Sequence, residues 1–239
     1  MVKKLIKRLM MLLQVLRQQD LSSKVFFYHD VGKKYTNMGT SSSLFWRHMD
    51  LLHGSPKTMS CHQVCFDDGF RGIWDEREEF RKRGIHPIVF VAIRLVGLPN
   101  YLTWNEIRTL QNDYGFEFQC HTWSHQTLVG AMIEASPKED RTESWYAREL
   151  VESRKFLEKE IGRAVTAICF PVGNFSNEVV DRCKAAGYEK VYASYPGNMT
   201  KDYIRPRNLV QDFCVIDFRL ALRGGMMAFF NRYYAAHKF

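Results

Sequence analysis

Two short segments carry most of the chemistry in this chain. Cys65-Phe66-Asp67-Asp68-Gly69-Phe70 puts two adjacent carboxylates at the end of an apolar run. His121-Thr122-Trp123-Ser124-His125 puts two imidazoles at i and i+4, one helical turn apart. Together they offer an Asp/His/His ligand set. Such a set leaves coordination positions open for water and substrate, which separates a catalytic metal site from a closed structural one. Adjacent residues at a strand end point in different directions, so the two carboxylates can do different jobs. One can stay ionised on a cation while the other reaches a water. Asp-Asp-Gly alone is also common turn chemistry, and a lone His-x-x-x-His is weak. It is the combination that points to a metal.

These residues need a frame. The pattern predicts strands over 24–29, 63–66, 87–93, 116–120, 165–170, 191–194 and 204–210, alternating with helices over 44–53, 72–83, 103–113, 143–161 and 176–186. Thr103 with Glu106 three residues on is a capping-box signature. Strands that are apolar on both faces imply a parallel sheet covered on each side, hence an α/β fold. Every candidate ligand falls where a strand ends and a loop begins, the edge on which such folds build their sites.

At this point the chain resembles the polysaccharide deacetylases, the NodB-homology fold, roughly from Lys24 to Val210. The likeness is strong at the two segments above and partial at Phe170-Pro171-Val172-Gly173-Asn174. It implies a single-domain distorted (β/α) barrel, a divalent metal (most often zinc) and hydrolysis of acetyl groups on sugars. By the same likeness Asp68, His121 and His125 are the metal ligands and Asp67 is the general base. The backbone N–H of Val172 would face the developing oxyanion. Members of the family often carry an arginine two residues before the third segment's proline, steadying the base. This chain has Cys169 there, and Arg207 is the candidate substitute, its alternative being a surface or phosphate-facing charge. Some members begin with Tyr-His on the first strand, matching Tyr28-His29. That makes His29 the candidate proton donor to the leaving amine, against a structural rim histidine. Trp123, Pro171 and Tyr28 are candidates to line the sugar pocket, with Trp123 equally suited to plugging a core. His48, His53, His62 and His86 have no such placement.

The expected activity is metal-dependent removal of an acetyl group from an N-acetylated sugar, on a lipid- or nucleotide-linked glycan precursor. Two other readings remain open at this stage. One is a catalytically lapsed member acting as a binding or scaffold protein in glycan assembly. The other is an amidohydrolase of a non-sugar amide. Net charge is +8 over 239 residues, which favours anionic partners. No nucleic-acid-reading motif accompanies that charge, so no nucleic-acid partner is expected. Six cysteines without a Cys-x-x-Cys pair, several inside apolar runs, suggest free thiols and a cytoplasmic setting. Segment 1–23 is basic at Lys3, Lys4, Lys7 and Arg8, with Leu5, Leu9, Leu12, Leu13 and Leu16 on one helical face. It reads as a helix on the surface of an anionic membrane, as one packed on its own domain, or as an atypical signal. The catalytic domain is expected over 24–216. Segment 217–239 reads as an amphipathic C-terminal helix or tail.

Overall fold

The computed structural model describes residues 2–53, 62–129 and 141–229. Eight short strands form one all-parallel sheet: β1 (Val25–Tyr28), β2 (Gln63–Asp68), β3 (Ile88–Val91), β4 (Glu117–Cys120), β5 (Ala167–Cys169), β6 (Lys190–Ala193), β7 (Ile204–Pro206) and β8 (Asn208–Leu209). Their order is β7-β6-β5-β4-β3-β2-β1-β8. The two ends of that order are neighbours in the chain, separated by Arg207 alone. β7 pairs with β6 and β8 with β1, so one segment closes the barrel by changing partner at Arg207. The Arg207 N–H bonds Ala193 O at 3.0 Å on one side of the seam, and the Val210 N–H bonds Phe27 O at 3.4 Å on the other.

Strand alternation divides the core in two. Val25, Phe27, Cys65, Ile88, Phe90, Ala167, Cys169 and Tyr192 form the inner cluster. Their neighbours Phe26, Tyr28, Phe66, Val89, Val91, Phe118, Ile168 and Val191 join the larger cluster under the helices. With both faces filled, the strands read as unbroken apolar runs. On β2 the same alternation sends Cys65 and Asp67 inward.

The helices are α1 (Val2–Arg17), α2 (Ser42–His53), α3 (Gly72–Asp75), α4 (Arg77–Arg83), α5 (Trp104–Tyr114), α6 (Glu143–Tyr146), α7 (Ser153–Ile161), α8 (Asn177–Ala185) and α9 (Val215–Leu222). The Thr103–Glu106 capping box forms in full. Three predicted elements are broken where the sequence pattern ran on. The 72–83 helix breaks at Glu76, the 143–161 helix passes through a π-helical stretch Ala147–Glu152, and the 204–210 strand divides at Arg207.

α1 packs on α9 through an Arg8–Asp217 ion pair, Nε to Oδ1 2.7 Å, and buries Met11. Its apolar stripe faces the other way. Val2, Leu5, Ile6, Leu9, Leu12, Leu13 and Leu16 are 41–73% exposed. Packing on the domain is therefore real, but through the polar side of the helix. No described helix is long and apolar enough to cross a membrane. The predicted C-terminal element is represented by most of α9 and a 3-10 turn, Gly225–Phe229. Residues 230–239 lie outside the described residues, as does Cys61.

Candidate metal centre

Asp67 and Asp68 end β2, and His121 follows β4, extending its ladder through an N–H bond to Val91 O at 2.9 Å. The histidine segment is not a helical turn, which corrects the i, i+4 argument. Thr122 and His125 both have positive φ, 68° and 63°, so the segment is a tight loop. Its backbone N–H groups at Trp123 and Ser124 both donate to Glu149 Oε2, at 3.0 and 2.8 Å. Glu149 is buried in the π-helical stretch and anchors the loop from behind. Asp68 and Val172 also have positive φ. Four of the five such non-glycine residues among those described therefore sit at this rim, where strain is tolerated only if the surroundings over-determine it.

The loop brings both imidazoles to Asp68. His125 Nε2 lies 2.9 Å and His121 Nε2 3.4 Å from Asp68 Oδ1, and one ligand atom from each of the three falls within 4.8 Å of the others. Asp68 Oδ1 is buried and makes no aligned hydrogen bond. His121 Nδ1 faces Cys169 O at 2.9 Å, so it carries the proton and turns the Nε2 lone pair inward. Three donor atoms converging in a buried spot suit a divalent cation, which would neutralise their mutual repulsion. Burial pushes the Asp68 carboxyl up, but the two imidazoles more than offset it and hold it well below the usual carboxylate range. Burial lowers His125, and Asp68 raises it past its ordinary value. Metal binding therefore competes with a proton there. A second grouping, Asp67, His121 and Cys169, is also close enough for a cation. It is chemically poorer, because burial drives the Cys169 thiol far up and Asp67 is already engaged.

That engagement is with Arg207. Its Nη1 and Nη2 donate to Asp67 Oδ1 and Oδ2 at 2.6 and 2.9 Å. Arg207 is 1% exposed and lies over the Phe27 and Phe90 rings, 4.2 and 5.3 Å to the centroids. Cys169 Sγ is 4.0 Å from Asp67 Oδ2. The short Cys169 side chain thus stands beside the carboxylate while the guanidinium comes from the barrel seam. Burial pushes Asp67 up, and the charges of Arg207 and then His121 pull it below its ordinary value.

The remaining sequence candidates fall at different depths. Val172 is exposed, with φ 63° in a turn after β5. The turn needs Gly173, whose own φ is 79° and whose Cβ would lie 2.4 Å from Ser194 Cβ. Ser194 Oγ in turn accepts from Arg207 Nη2 at 3.3 Å. His29 Nδ1 bonds Gln211 Oε1 at 2.6 Å, which fixes the ring and leaves Nε2 outside that bond. Trp123 is half-buried with its edge on Phe156 of α7, 5.4 Å between centroids. Tyr28 is corrected outright. It is fully buried on the helix side of β1 with its hydroxyl on His48 Nδ1 at 3.0 Å, and cannot touch a sugar. Pro171 is likewise buried and shapes the turn instead of presenting a face.

Sequence reading missed Glu149, Gln211 and Tyr101. None sits in a motif. Tyr101 stacks on Phe70 at 4.6 Å, and burial and then the Asp68 charge raise its hydroxyl pKa. Asp30 was passed over as well. It is fully buried where the loops after β1 and β2 meet, against Gly72, whose Cβ would come 2.3 Å from Asp30 Oδ1. Burial lifts its carboxyl to about 7, against the pull of the Val31 and Gly72 N–H groups. An acid raised in the folded state stabilises fully below its unfolded pKa of about 3.9 and loses that contribution as pH rises through the folded value. Melting temperature should therefore fall between pH 4 and 7.5, and Asp30→Asn should flatten that part of the curve. An unchanged slope would refute the assignment.

The fold and the site together define a parallel (β/α) barrel with a candidate metal centre on its carboxyl rim. Residues 54–191 match the polysaccharide deacetylase family, and the chain belongs to that family. Among curated relatives, YxkH of Bacillus subtilis strain 168, named after the same family, is 22% identical over 197 residues. That match takes in 74% of this chain and 66% of YxkH, so the chain spans just under two thirds of its relative. The polysaccharide deacetylase BC0361 of Bacillus cereus superposes with a TM-score of 0.69 at 21% identity, covering 85% of this chain and 69% of its own. IcaB of Ammonifex degensii gives 0.73 at 18% identity, covering 87% and 99%. At these identities the two structures speak for the fold, which is the expected (β/α) barrel.

Proposed function

We propose that the protein is a metal-dependent hydrolase that removes an acetyl group from an N-acetylated sugar. The observation that carries this reading is the meeting of two systems at one rim: the Asp68/His121/His125 donors and the Asp67–Arg207 pair beside them. Family membership supports it independently. Zinc suits the donor set best, a carboxylate and two imidazoles. When bound, such an ion polarises an acyl carbonyl and acidifies water.

The chain's own residues supply the rest. Asp67, kept ionised by Arg207, takes the proton of the attacking water. The N–H of Val172 donates to the carbonyl oxygen as charge grows on it. His29, oriented by Gln211, gives a proton to the departing nitrogen. The products are acetate and a free amine, with the water's atoms shared between them. Tyr101 and the exposed part of Trp123 are the side chains we assign to the sugar.

The outward leucine face and the basic residues of α1 support work at an anionic membrane surface, on a lipid- or nucleotide-linked sugar. Metal content of the purified protein, together with acetate release from a panel of such acetamido sugars, tests the reading. His121→Ala should cut bound metal well below one ion per chain while the fold persists by circular dichroism. An unchanged metal ratio would remove His121 from the ligand set.

A further inference from the structure

A groove of about 530 Å³ runs between α1 and the Gly225–Phe229 turn and reaches Leu209 of β8. Its lining is Ile6, Met10, Leu209, Met226 and Phe229, with Lys3 and Lys7 as its only charged side chains. That volume lies within the ordinary range for small-molecule sites.

The groove has a direction. α1 runs parallel to α9. Arg8 bonds Cys214 and Asp217 at the start of α9, while the Asp20 N–H bonds Arg223 O just past its end. Lys7 Nζ sits 4.1 Å over the Phe213 ring, two residues from the Gln211 that holds His29. Lys3 is one further turn toward the rim. The charged end of the groove therefore faces the candidate active site, and the end at Met10 leads away from it. Alongside runs the exposed leucine face of α1.

We infer that this groove seats the chain of a phosphate-headed lipid, its anionic head on Lys3 and Lys7, and that this lipid is the carrier of the acetylated sugar. The sugar's identity as substrate rests on the deacetylase reading; the lipid site does not. Two ammonium groups at one end of an apolar trough complement a phosphate or diphosphate on a hydrocarbon tail. A nucleotide fits poorly, because the lining offers a base neither hydrogen-bonding side chains beyond the lysines nor a pair of rings to stack between. The neighbouring leucine face gives the lipid a lateral route out of a bilayer. Lysines at its edge keep their heads at the headgroup level.

The test is titration calorimetry of the whole protein with geranylgeranyl diphosphate, below the concentration at which it forms micelles. Saturable one-site binding is expected. Lys3→Glu/Lys7→Glu and, separately, Met10→Glu should each weaken it by about tenfold or more, since reversing a head contact or charging the trough costs on the order of a kcal/mol or more. Both variants should keep the wild-type melting temperature and metal content. Inorganic pyrophosphate should bind far more weakly than the lipid. Equal affinity for pyrophosphate would reduce the site to a free-phosphate patch. Undiminished binding in both variants would put the lipid elsewhere. Binding to anionic phosphatidylglycerol vesicles without saturable binding of the diphosphate would leave α1 a surface anchor with no groove ligand. Each of these overturns the inference. Lipid binding without acetate release from any acetamido sugar would leave the groove standing and the deacetylase reading fallen.

Discussion

Asp67→Asn should lower acetate release by about 10²–10⁴-fold, the range a positioned acid–base group contributes, while bound metal stays at the wild-type ratio. The substitution also has a folding cost that must be separated from chemistry. Arg207 is buried and loses its only anionic partner among the hydrogen bonds it makes here. Leaving such a charge unpaired costs about 3–5 kcal/mol. Asp67→Asn/Arg207→Met removes both charges, and replacing a buried pair by apolar or neutral groups is often nearly neutral. The double variant should regain much of the stability and none of the turnover. Urea unfolding and acetate assays on the three proteins check this. Full activity in Asp67→Asn would place the base elsewhere.

Arg207→Met alone should be the more destructive change, because it strikes stability and chemistry together. The expected loss of stability is about 3–5 kcal/mol at neutral pH, and the surviving activity should have its acidic limb moved to higher pH. The sign follows from the pair. In the wild type, burial raises Asp67 and Arg207 with His121 brings it below its ordinary value. A depressed carboxyl contributes stability above its unfolded pKa of about 3.9 and loses it as pH falls through the folded value. Without the guanidinium, burial wins and the sign reverses. The gap between wild type and variant should widen from pH 4 to pH 8. If Arg207 only stitched the seam, the gap would be flat with pH and the activity profile would not move.

Much of this was visible in the chain before folding, for a physical reason. Parallel strands buried on both faces leave long apolar runs, and rim residues follow those runs directly, so Asp67, Asp68 and His121 could be placed at strand ends. The Thr103 cap was equally local. What escaped was non-local or broke a local rule. The His121–His125 spacing suggested a helix, whereas the loop exists because Glu149 binds two of its N–H groups from a distant element. Tyr28 shares a motif with His29, yet strand alternation sends the two to opposite faces. Arg207 is a named candidate to steady Asp67, but the bidentate pair itself spans most of the fold and needs the barrel to close. For α1, the usual rule that an apolar stripe faces the protein is reversed, with Arg8 turned in and the leucines out.

The seam at Arg207 has a consequence for the order in which a ribosome makes this molecule. Both aspartates and both histidines emerge well before residue 207. A growing chain can assemble the loops we assign to a cation while the carboxylate we assign as proton acceptor still lacks its guanidinium. Catalytic competence should switch on in one step, when the final segment slots between the first and sixth strands. A nascent or clipped chain ending short of that point would hold an ion yet cleave nothing.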